Sequence, residues 1–246
     1  MKCMILAAGF GTRLAPHTET LPKALIPVAG APMIRLAVDA LRRAGCDEIV
    51  VNAHHFAEQV EDYFQHNDAG VPVRVLRETD ILGTGGGLLN AAPLLEKEDT
   101  FLLYNADIAA EADLAPLLRI LEKARSAGER PLASLLVNRR ETTRALLFDE
   151  QLKFIGKEVW KEQGLLSPED MQRFSGNTQR LGFCGVHAVS SDVFRLGFRA
   201  GFSDIFELYR EGMRQGHTLY GIESNAYWTD LGTPDRIAAF ESRLNA

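Results

Sequence analysis

Two glycines and two basic residues lie close together near the start of the sequence. Gly9 and Gly11 follow a short apolar run, Arg13 comes two residues later, and Lys23 follows Pro22 in an extended segment. Glycine lets a backbone turn tightly and approach a ligand, so that backbone amides can bind phosphate oxygens. Arginine and lysine neutralise phosphate charge. The stretch therefore predicts a loop along which a triphosphate lies, with two cations beside it.

Two better-known phosphate-binding loops do not fit this stretch. A dinucleotide fingerprint would need a third glycine where Leu14 stands, and an acid where the second apolar run ends in Asn52. Pro16 and Pro22 prevent a long helix from starting after the glycines. A Walker-type loop is also excluded, because no Gly-Lys-Ser/Thr follows. A nicotinamide-dependent oxidoreductase is therefore a poor interpretation.

Two carboxylates stand where apolar runs end. Asp107 follows the run at 100–105, and Asp230 ends the run at 227–230. Mg²⁺ takes few protein ligands and keeps water and phosphate as the others, so one or two such carboxylates can hold it against a nucleotide. Asp230 alone would equally suit the start of the helix that begins near Pro234. Paired with Asp107, it is a candidate second metal ligand.

Strands and helices must alternate to position these groups, and the first half of the sequence has that pattern. Short apolar runs are typical of buried strands, and apolar residues three and four apart indicate amphipathic helices. Strand and helix alternate four times, which predicts a Rossmann-like, doubly wound, mainly parallel α/β sheet. The predicted strands are 2–7, 48–52, 71–78 and 100–105, and the predicted helices are 33–44, 56–64, 83–95 and 114–127.

The glycines, Asn52, residues 83–87 and Asp107 all follow predicted strands. Ligands of open parallel sheets bind outside the carboxyl ends of the strands, so we expect these groups to converge on one site.

The second half has shorter strands at hairpin-like spacing, so we expect antiparallel additions to the sheet. The predicted strands are 132–137, 144–148, 152–155, 181–190, 217–222 and 227–230, and the predicted helices are 202–215 and 234–244. Residues 158–179 are polar, which predicts an irregular, mobile segment. Trp160 and Phe174 within it either form a lid over a sugar substrate or only pack against the rest of the protein. No linker or repeat divides the chain, which predicts a single domain over residues 1–246.

Composition limits the class of partner. The net charge of −6 argues against general binding to nucleic acid or to anionic membranes, so any phosphate site must be local and helped by a metal ion. No run approaches the roughly 20 apolar residues of a membrane span, and the first apolar run is too short for a signal peptide. The widely spaced Cys3, Cys46 and Cys184 suit buried thiols, and we expect a cytoplasmic protein.

The sequence resembles the sugar-1-phosphate nucleotidyltransferase family. The likeness is carried by LAAGFGTRL at 6–14 and PKALIPV at 22–28, and it extends through 82–87, 105–107, 183–186 and 228–232. Chain length and TGGG at 84–87 look most like the bacterial subgroup that joins UTP to N-acetylmuramate 1-phosphate in cell-wall recycling. Members acting on mannose, heptose or glucose phosphates with GTP or dTTP, or on phosphocholine, stay open, as does a non-catalytic nucleotide-sugar-binding regulator on the same fold.

The resemblance implies a Mg²⁺-dependent reaction. A sugar 1-phosphate oxygen attacks the α-phosphorus of an NTP, with UTP favoured, and pyrophosphate leaves. Nucleotide-binding residues would be Leu6, Ala7, Ala8, Gly9, Gly11, Thr12, Arg13, Lys23, Gly83 and Thr84, of which Arg13 and Lys23 are catalytic. Asp107 and Asp230 would hold Mg²⁺, and Asn105, Gly185 and Lys157 would contact the sugar. A nucleotide-binding half would occupy about 1–110, a sugar-binding and closing half about 111–246, and the protein would be a monomer or small homo-oligomer.

Two features depart from the family pattern. Many members have Glu-Lys-Pro before the late strands, whereas this chain has Gly156-Lys157-Glu158. Where some members have Asn-Ala-Gly or Ser-Gly beside the sugar, this chain has Cys184-Gly185.

Arg139 and Arg140 are consecutive in the sequence, and we expect both to be solvated surface residues rather than a binding patch.

Overall fold

The computed structural model describes residues 1–165, 172, 177–199 and 201–245. Phe174, one of the two predicted lid residues, lies outside this described part of the chain. Nine described strands form one sheet, and seven of them follow the order 154–157, 146–148, 179–190, 100–105, 2–6, 48–53 and 73–77. The strand at 131–138 pairs with those at 179–190 and 218–223.

Four parallel strands form the half of the sheet that carries the glycine loop. They are β1 (Lys2–Leu6), β4 (Glu48–Ala53), β5 (Val73–Arg77) and β6 (Thr100–Asn105). Leu6 pairs in register with Asn52 on one side and with Asn105 on the other, so three strands end at the same level. The connecting helices are α1 (Ile34–Arg43), α2 (Ala57–His66), α3 (Gly83–Asn90) and α4 (Ala92–Leu95).

The second half adds antiparallel pairs, as the sequence predicts. Its elements are α5 (Ala115–Ser126), β8 (Pro131–Asn138), β9 (Leu146–Phe148), β10 (Phe154–Lys157), α6 (Glu158–Glu162), β11 (Gln179–Ser190), α7 (Ile205–Arg214), β12 (Thr218–Glu223) and α8 (Pro234–Leu244). The long β11 is antiparallel to β6, β8 and β9. The fold class predicted from the sequence is confirmed.

Three local predictions are wrong. The segment 24–28, predicted to be extended, is a strand only from Pro27, because Lys23–Leu25 forms a 3-10 turn in which the Ile26 amide donates a hydrogen bond to the Lys23 carbonyl. Part of the predicted irregular segment at 158–179 is the short helix α6. The segment after Asp107, which the sequence predicts to be irregular, is also regular, because β7 (Ile108–Ala110) pairs with β13 (Trp228–Asp230) in a separate two-stranded ribbon. A second small ribbon joins β2 (Pro27–Val28) to β3 (Ala31–Pro32).

The sheet is buried on both faces by helices. Alternate residues of β1 face opposite sides, so Cys3 and Ile5 lie in the core beneath α1, α2 and α5, whereas Met4 lies in the core beneath α3 and α7. Burial on both faces explains why these strands read as continuous apolar runs. Among the described residues, no helix is long and apolar enough to cross a membrane.

Candidate functional site

A cavity of about 200 Å³ opens at the level where β1, β4 and β6 end. This is the edge at which open parallel sheets bind ligands. The cavity is lined by Leu6, Ala7, Ala8, Gly9, Lys23, Ala24, Asn52, Ile81, Gly83, Thr84, Asn105, Ala106 and Asp107. The sequence predicts nine of these as nucleotide, metal or sugar ligands and predicts that Asn52 converges on the same site, whereas Ala24, Ile81 and Ala106 were not anticipated.

The loop after β1 is folded into short 3-10 turns, as expected for a segment in which prolines block a longer helix. Gly11 begins the first turn with a left-handed backbone (φ 66°). A β-carbon at this position would lie only 2.8 Å from the β-carbon of Lys23. Gly11 therefore lets the lysine stem pack directly against the loop. Thr12 and Arg13 follow on the exposed side of the same turn.

The Lys23 ammonium forms an ion pair with the carboxylate of Asp107. Both side chains are partly exposed, at 16% and 23%, so the pair is accessible to a ligand. A lysine ammonium is a compact charge that binds phosphate oxygens as readily as carboxylates. The pair therefore places a phosphate-binding cation beside a potential metal ligand.

Asp230 is brought to Asp107 by backbone pairing. In the β7–β13 ribbon, Asp230 lies opposite Ile108, and the Leu231 amide donates a hydrogen bond to the Asp107 carbonyl at 2.7 Å. The Asp230 carboxylate forms an ion pair with Arg236 from the first turn of α8. The two predicted metal ligands, 123 positions apart in the sequence, are thus neighbours in the fold.

Arg13 reaches this group from the glycine loop. A β-carbon at Gly232 would lie 2.5 Å from Arg13 Nη2 and 2.9 Å from Asp230 Oδ1, so the guanidinium and the carboxylate flank the same glycine. Arg13 forms no ion pair with another described residue. Its charge is therefore available to an incoming anion.

The donor set fits Mg²⁺. Asp107 and Asp230 stand on paired backbone segments, and each carboxylate forms an ion pair with a cation, Lys23 and Arg236 respectively. No cluster of three or more His, Cys, Asp or Glu occurs in the part of the chain that the structure describes. A metal that needs a complete protein cage would find too few ligands here. Mg²⁺ is bound by one or two carboxylates together with phosphates and water. These residues would hold it jointly with a nucleotide.

A buried polar network supports the cavity floor, and the sequence reasoning missed it. The Ala7 amide donates to Asn52 Oδ1 (2.9 Å), Asn52 Nδ2 donates to Glu78 Oε1 (2.6 Å), and the Leu82 amide donates to Glu78 Oε2 (3.1 Å). Asn52 and Glu78 are only 2% and 5% exposed. The network therefore connects three segments that line the cavity, which are the glycine loop after β1, the end of β4 and the segment before α3. Its sequence signals were polar residues, Asn52 and Glu78, at the ends of two predicted strands.

The glycines at 83–87 serve close packing. The amides of Gly85 and Gly86 both donate to the carbonyl of Ser203, and a β-carbon at Gly86 would collide with the carbonyl of Gly201 at 1.9 Å. The Thr84 hydroxyl accepts a hydrogen bond from the Ile205 amide at the start of α7. Through these contacts the first turn of α3 packs against the segment before α7, and Gly83 and Thr84 line the cavity.

Asn105 and Gly185, both predicted to contact the sugar, are adjacent. Gly185 lies in β11 with φ 74°, and a β-carbon there would meet Asn105 Nδ2 at 3.0 Å. Burial raises the pKa of the neighbouring Cys184 thiol to about 11, so this side chain stays neutral near pH 7. The Trp228 indole donates to the Cys184 carbonyl at 2.7 Å. Asn105, β11 and Trp228 therefore form one wall beside the cavity.

Lys157 does not line the cavity. Its ammonium lies 4.9 Å from the centre of the Phe206 ring, at the edge of the sheet, and the predicted contact with the sugar stays a prediction. Trp160 is buried against Phe154 and Phe206, so its side chain packs in the core.

Comparison with known proteins agrees with this geometry. The sequence model of the nucleotidyl transferase family matches residues 2–145, which is more than half of the chain. The chain is 29% identical to the N-acetylmuramate alpha-1-phosphate uridylyltransferase of Caulobacter vibrioides, over 98% of this chain and 96% of that protein. It is 32% identical to the mannose-1-phosphate guanyltransferase of Yarrowia lipolytica, over 95% of this chain but only 61% of that longer protein.

Solved structures share the fold. A UTP-bound UGPase from Acinetobacter baumannii superimposes with a TM-score of 0.75, covering 99% of this chain and 92% of the other at 17% identity. The resemblance stated from the sequence motifs is confirmed by the family match, which includes the glycine loop, Lys23 and Asp107. The chain belongs to the nucleotidyl transferase family.

Proposed function

We propose that this protein transfers a nucleotidyl group from an NTP to a sugar 1-phosphate and releases pyrophosphate, with Mg²⁺ as cofactor. The observation that carries the proposal is the Lys23–Asp107 ion pair at the mouth of the cavity, with Asp230 held beside it. UTP and N-acetylmuramate 1-phosphate are the favoured substrates, supported by the near full-length similarity to the Caulobacter relative.

The chain's own residues account for most of the chemistry. Backbone at Ala7–Gly9 and Gly83 would hold the base and ribose, and the Gly11–Arg13 turn would receive the triphosphate. Mg²⁺ bound by Asp107 and Asp230 would neutralise charge on the phosphate oxygens. Phosphoryl transfer needs positioning and electrostatic stabilisation more than proton transfer, so no general base is required for an already ionised phosphate nucleophile.

Lys23 has the central role in this proposal. In the structure its ammonium is paired with Asp107. With Asp107 as a ligand of Mg²⁺, the ammonium would be free to bridge phosphate oxygens and would stabilise the charge that develops as pyrophosphate departs. Arg13, which has no acidic partner among the described residues, would neutralise the leaving group.

Pyrophosphate release tests the proposal. UTP, GTP, CTP, ATP and dTTP are each combined with N-acetylmuramate, glucose and mannose 1-phosphates in the presence and absence of Mg²⁺. We expect Lys23→Ala and Asp107→Ala to lose most turnover. Lys153→Ala is the matched control, because Lys153 forms a similar half-buried ion pair with Glu129 far from the cavity.

Two results would contradict the assignment. One is near-normal turnover by both Lys23→Ala and Asp107→Ala. The other is tight binding of nucleotide sugars without pyrophosphate release from any pair of substrates, which would indicate a non-catalytic sensor on the same fold.

A further inference from the structure

Two adjacent arginines at the end of β8 have different surroundings. Arg139 is exposed and forms a two-pronged ion pair with Glu223, at 2.6 and 2.9 Å, as expected for a surface arginine. The Arg140 guanidinium instead lies 4.0 Å from the centre of the Trp228 ring. It donates to the Phe183 carbonyl at 2.5 Å and to Asn138 Oδ1 at 2.7 Å. The expectation of a solvated surface residue is therefore wrong for Arg140.

The charge of Arg140 is not balanced by an acid. All its hydrogen bonds to described residues go to neutral acceptors, and no ion pair joins it to a carboxylate in that part of the chain. A guanidinium that is half-buried, stacked and fixed in direction has lost part of its hydration. Such a group favours an anion that approaches its free N–H edge, above all one with two oxygens in a plane.

The contacts of Arg140 place it beside the proposed sugar wall. Trp228, on which it stacks, donates to the Cys184 carbonyl, and the next residue, Gly185, touches Asn105 in the cavity lining. Trp228 also lies two residues before Asp230 in β13, which corresponds to roughly 7 Å of extended strand. Arg140 therefore lies on the wall formed by β11 and Trp228, and that wall leads along β13 to the proposed metal ligand Asp230.

We propose that Arg140 binds a carboxylate on the acceptor sugar, so that the acceptor class of this enzyme is acidic sugar 1-phosphates. This inference rests on the proposed function. The reacting phosphate must lie near Lys23, Asp107 and Asp230, so the anion that reaches Arg140 is a second one on the far side of the ring. N-acetylmuramate, whose ether side chain ends in a carboxylate, belongs to this class, as do uronic acids.

The test compares acceptors that differ by a carboxylate. One pair is N-acetylmuramate 1-phosphate and N-acetylglucosamine 1-phosphate, and the other is glucuronate 1-phosphate and glucose 1-phosphate. The wild type, Arg140→Gln, Arg140→Lys and the control Arg139→Gln are assayed for pyrophosphate release with UTP. Calorimetric binding of each acceptor, in the presence of a non-hydrolysable UTP analogue, gives a readout independent of turnover.

We expect Arg140→Gln to lower kcat/KM for the acidic acceptors by about tenfold or more, mainly through KM, because a charge-assisted hydrogen bond is lost. Neutral acceptors should be turned over as before. Arg140→Lys, which keeps the charge but not the two-pronged geometry, should fall between the two. Arg139→Gln should leave the acidic-to-neutral ratio unchanged.

An equal loss on acidic and neutral acceptors overturns the inference, because Arg140 would then bind the reacting phosphate or only hold β11 to Trp228. A wild type that uses neutral acceptors as well as acidic ones overturns it too, while leaving the proposed function intact. If the wild type releases no pyrophosphate from any acceptor, the proposed function fails, and calorimetry still decides whether Arg140 binds the carboxylate. Melting temperatures of the variants separate these outcomes from misfolding.

Discussion

Replacement of Gly11 by alanine tests how the lysine of the site is positioned. The new β-carbon would lie 2.8 Å from the Lys23 β-carbon and 3.0 Å from Thr18 Cγ2, whereas ordinary contacts are 3.4–4 Å. The left-handed backbone at Gly11 adds strain for any residue that has a β-carbon. The substitution therefore acts on stability and on the place of Lys23 together.

The magnitudes follow from these two effects. A left-handed conformation costs an L-residue about 1–2 kcal/mol, and overpacking costs about 1–3 kcal/mol more. We expect Gly11→Ala to lower the free energy of unfolding by about 2–5 kcal/mol. If the Lys23 stem withdraws by about 1 Å to relieve the contact, turnover should fall by about 100-fold.

Gly128→Ala is the matched control, because Gly128 has a similar backbone (φ 79°) but open space around its β-carbon position. It should lose only the conformational cost of about 1–2 kcal/mol and keep full activity. The assays are urea denaturation and pyrophosphate release measured well below each melting temperature. If Gly11→Ala showed the same stability loss and the same turnover as Gly128→Ala, the argument that Gly11 positions Lys23 would be refuted.

Two further predictions concern buried groups. Glu78→Leu leaves the side-chain amide of Asn52 and the backbone amide of Leu82 without their acceptor. We therefore expect the free energy of unfolding, measured in urea, to fall by about 1–3 kcal/mol and the KM for the nucleotide to rise. An unchanged KM would contradict a role of Glu78 in shaping the cavity. Burial lowers the pKa of His187 to about 3. Below about pH 6.5 this histidine is therefore protonated in the unfolded chain but stays neutral in the folded chain. Stability should therefore fall by about 2 kcal/mol from pH 7.5 to pH 5, and His187→Gln should show a shallower fall when both are unfolded in urea. Equal slopes would rule out His187 as the cause.

The parts of the site that depend on local pattern could be predicted from the sequence. An apolar strand followed by glycines, and by prolines that prevent a helix, indicates an extended loop at the carboxyl edge of the sheet, where ligands bind. Parallel strands also place their ends at one edge, so the convergence of Gly9, Asn52, Gly83 and Asp107 follows from the order of elements. The structure brings these four residues to one cavity.

The parts that depend on tertiary contacts could not be predicted. The sequence predicts the strand at 227–230 that contains β13, but β7 has only three residues, too few for an alternating pattern to be recognised, so the pairing of the two is not predicted. Glu78 directly follows β5, at a position where a polar residue usually faces solvent, and only the fold reveals that its side chain is buried. Likewise, nothing in the sequence distinguishes Arg139 from Arg140, because the aromatic ring that separates their environments comes from β13.

The ribbon of β7 and β13 also has a consequence for the order in which the enzyme becomes competent during synthesis. Asp107 leaves the ribosome with the glycine loop already made, but its partner Asp230 emerges more than a hundred residues later. Until β13 has been synthesised, the chain cannot form the β7–β13 pair that places Asp230 next to the segment of Asp107. With Asp230 as a metal ligand, as proposed, nucleotidyl transfer would require a chain whose C-terminal segment has been completed and docked.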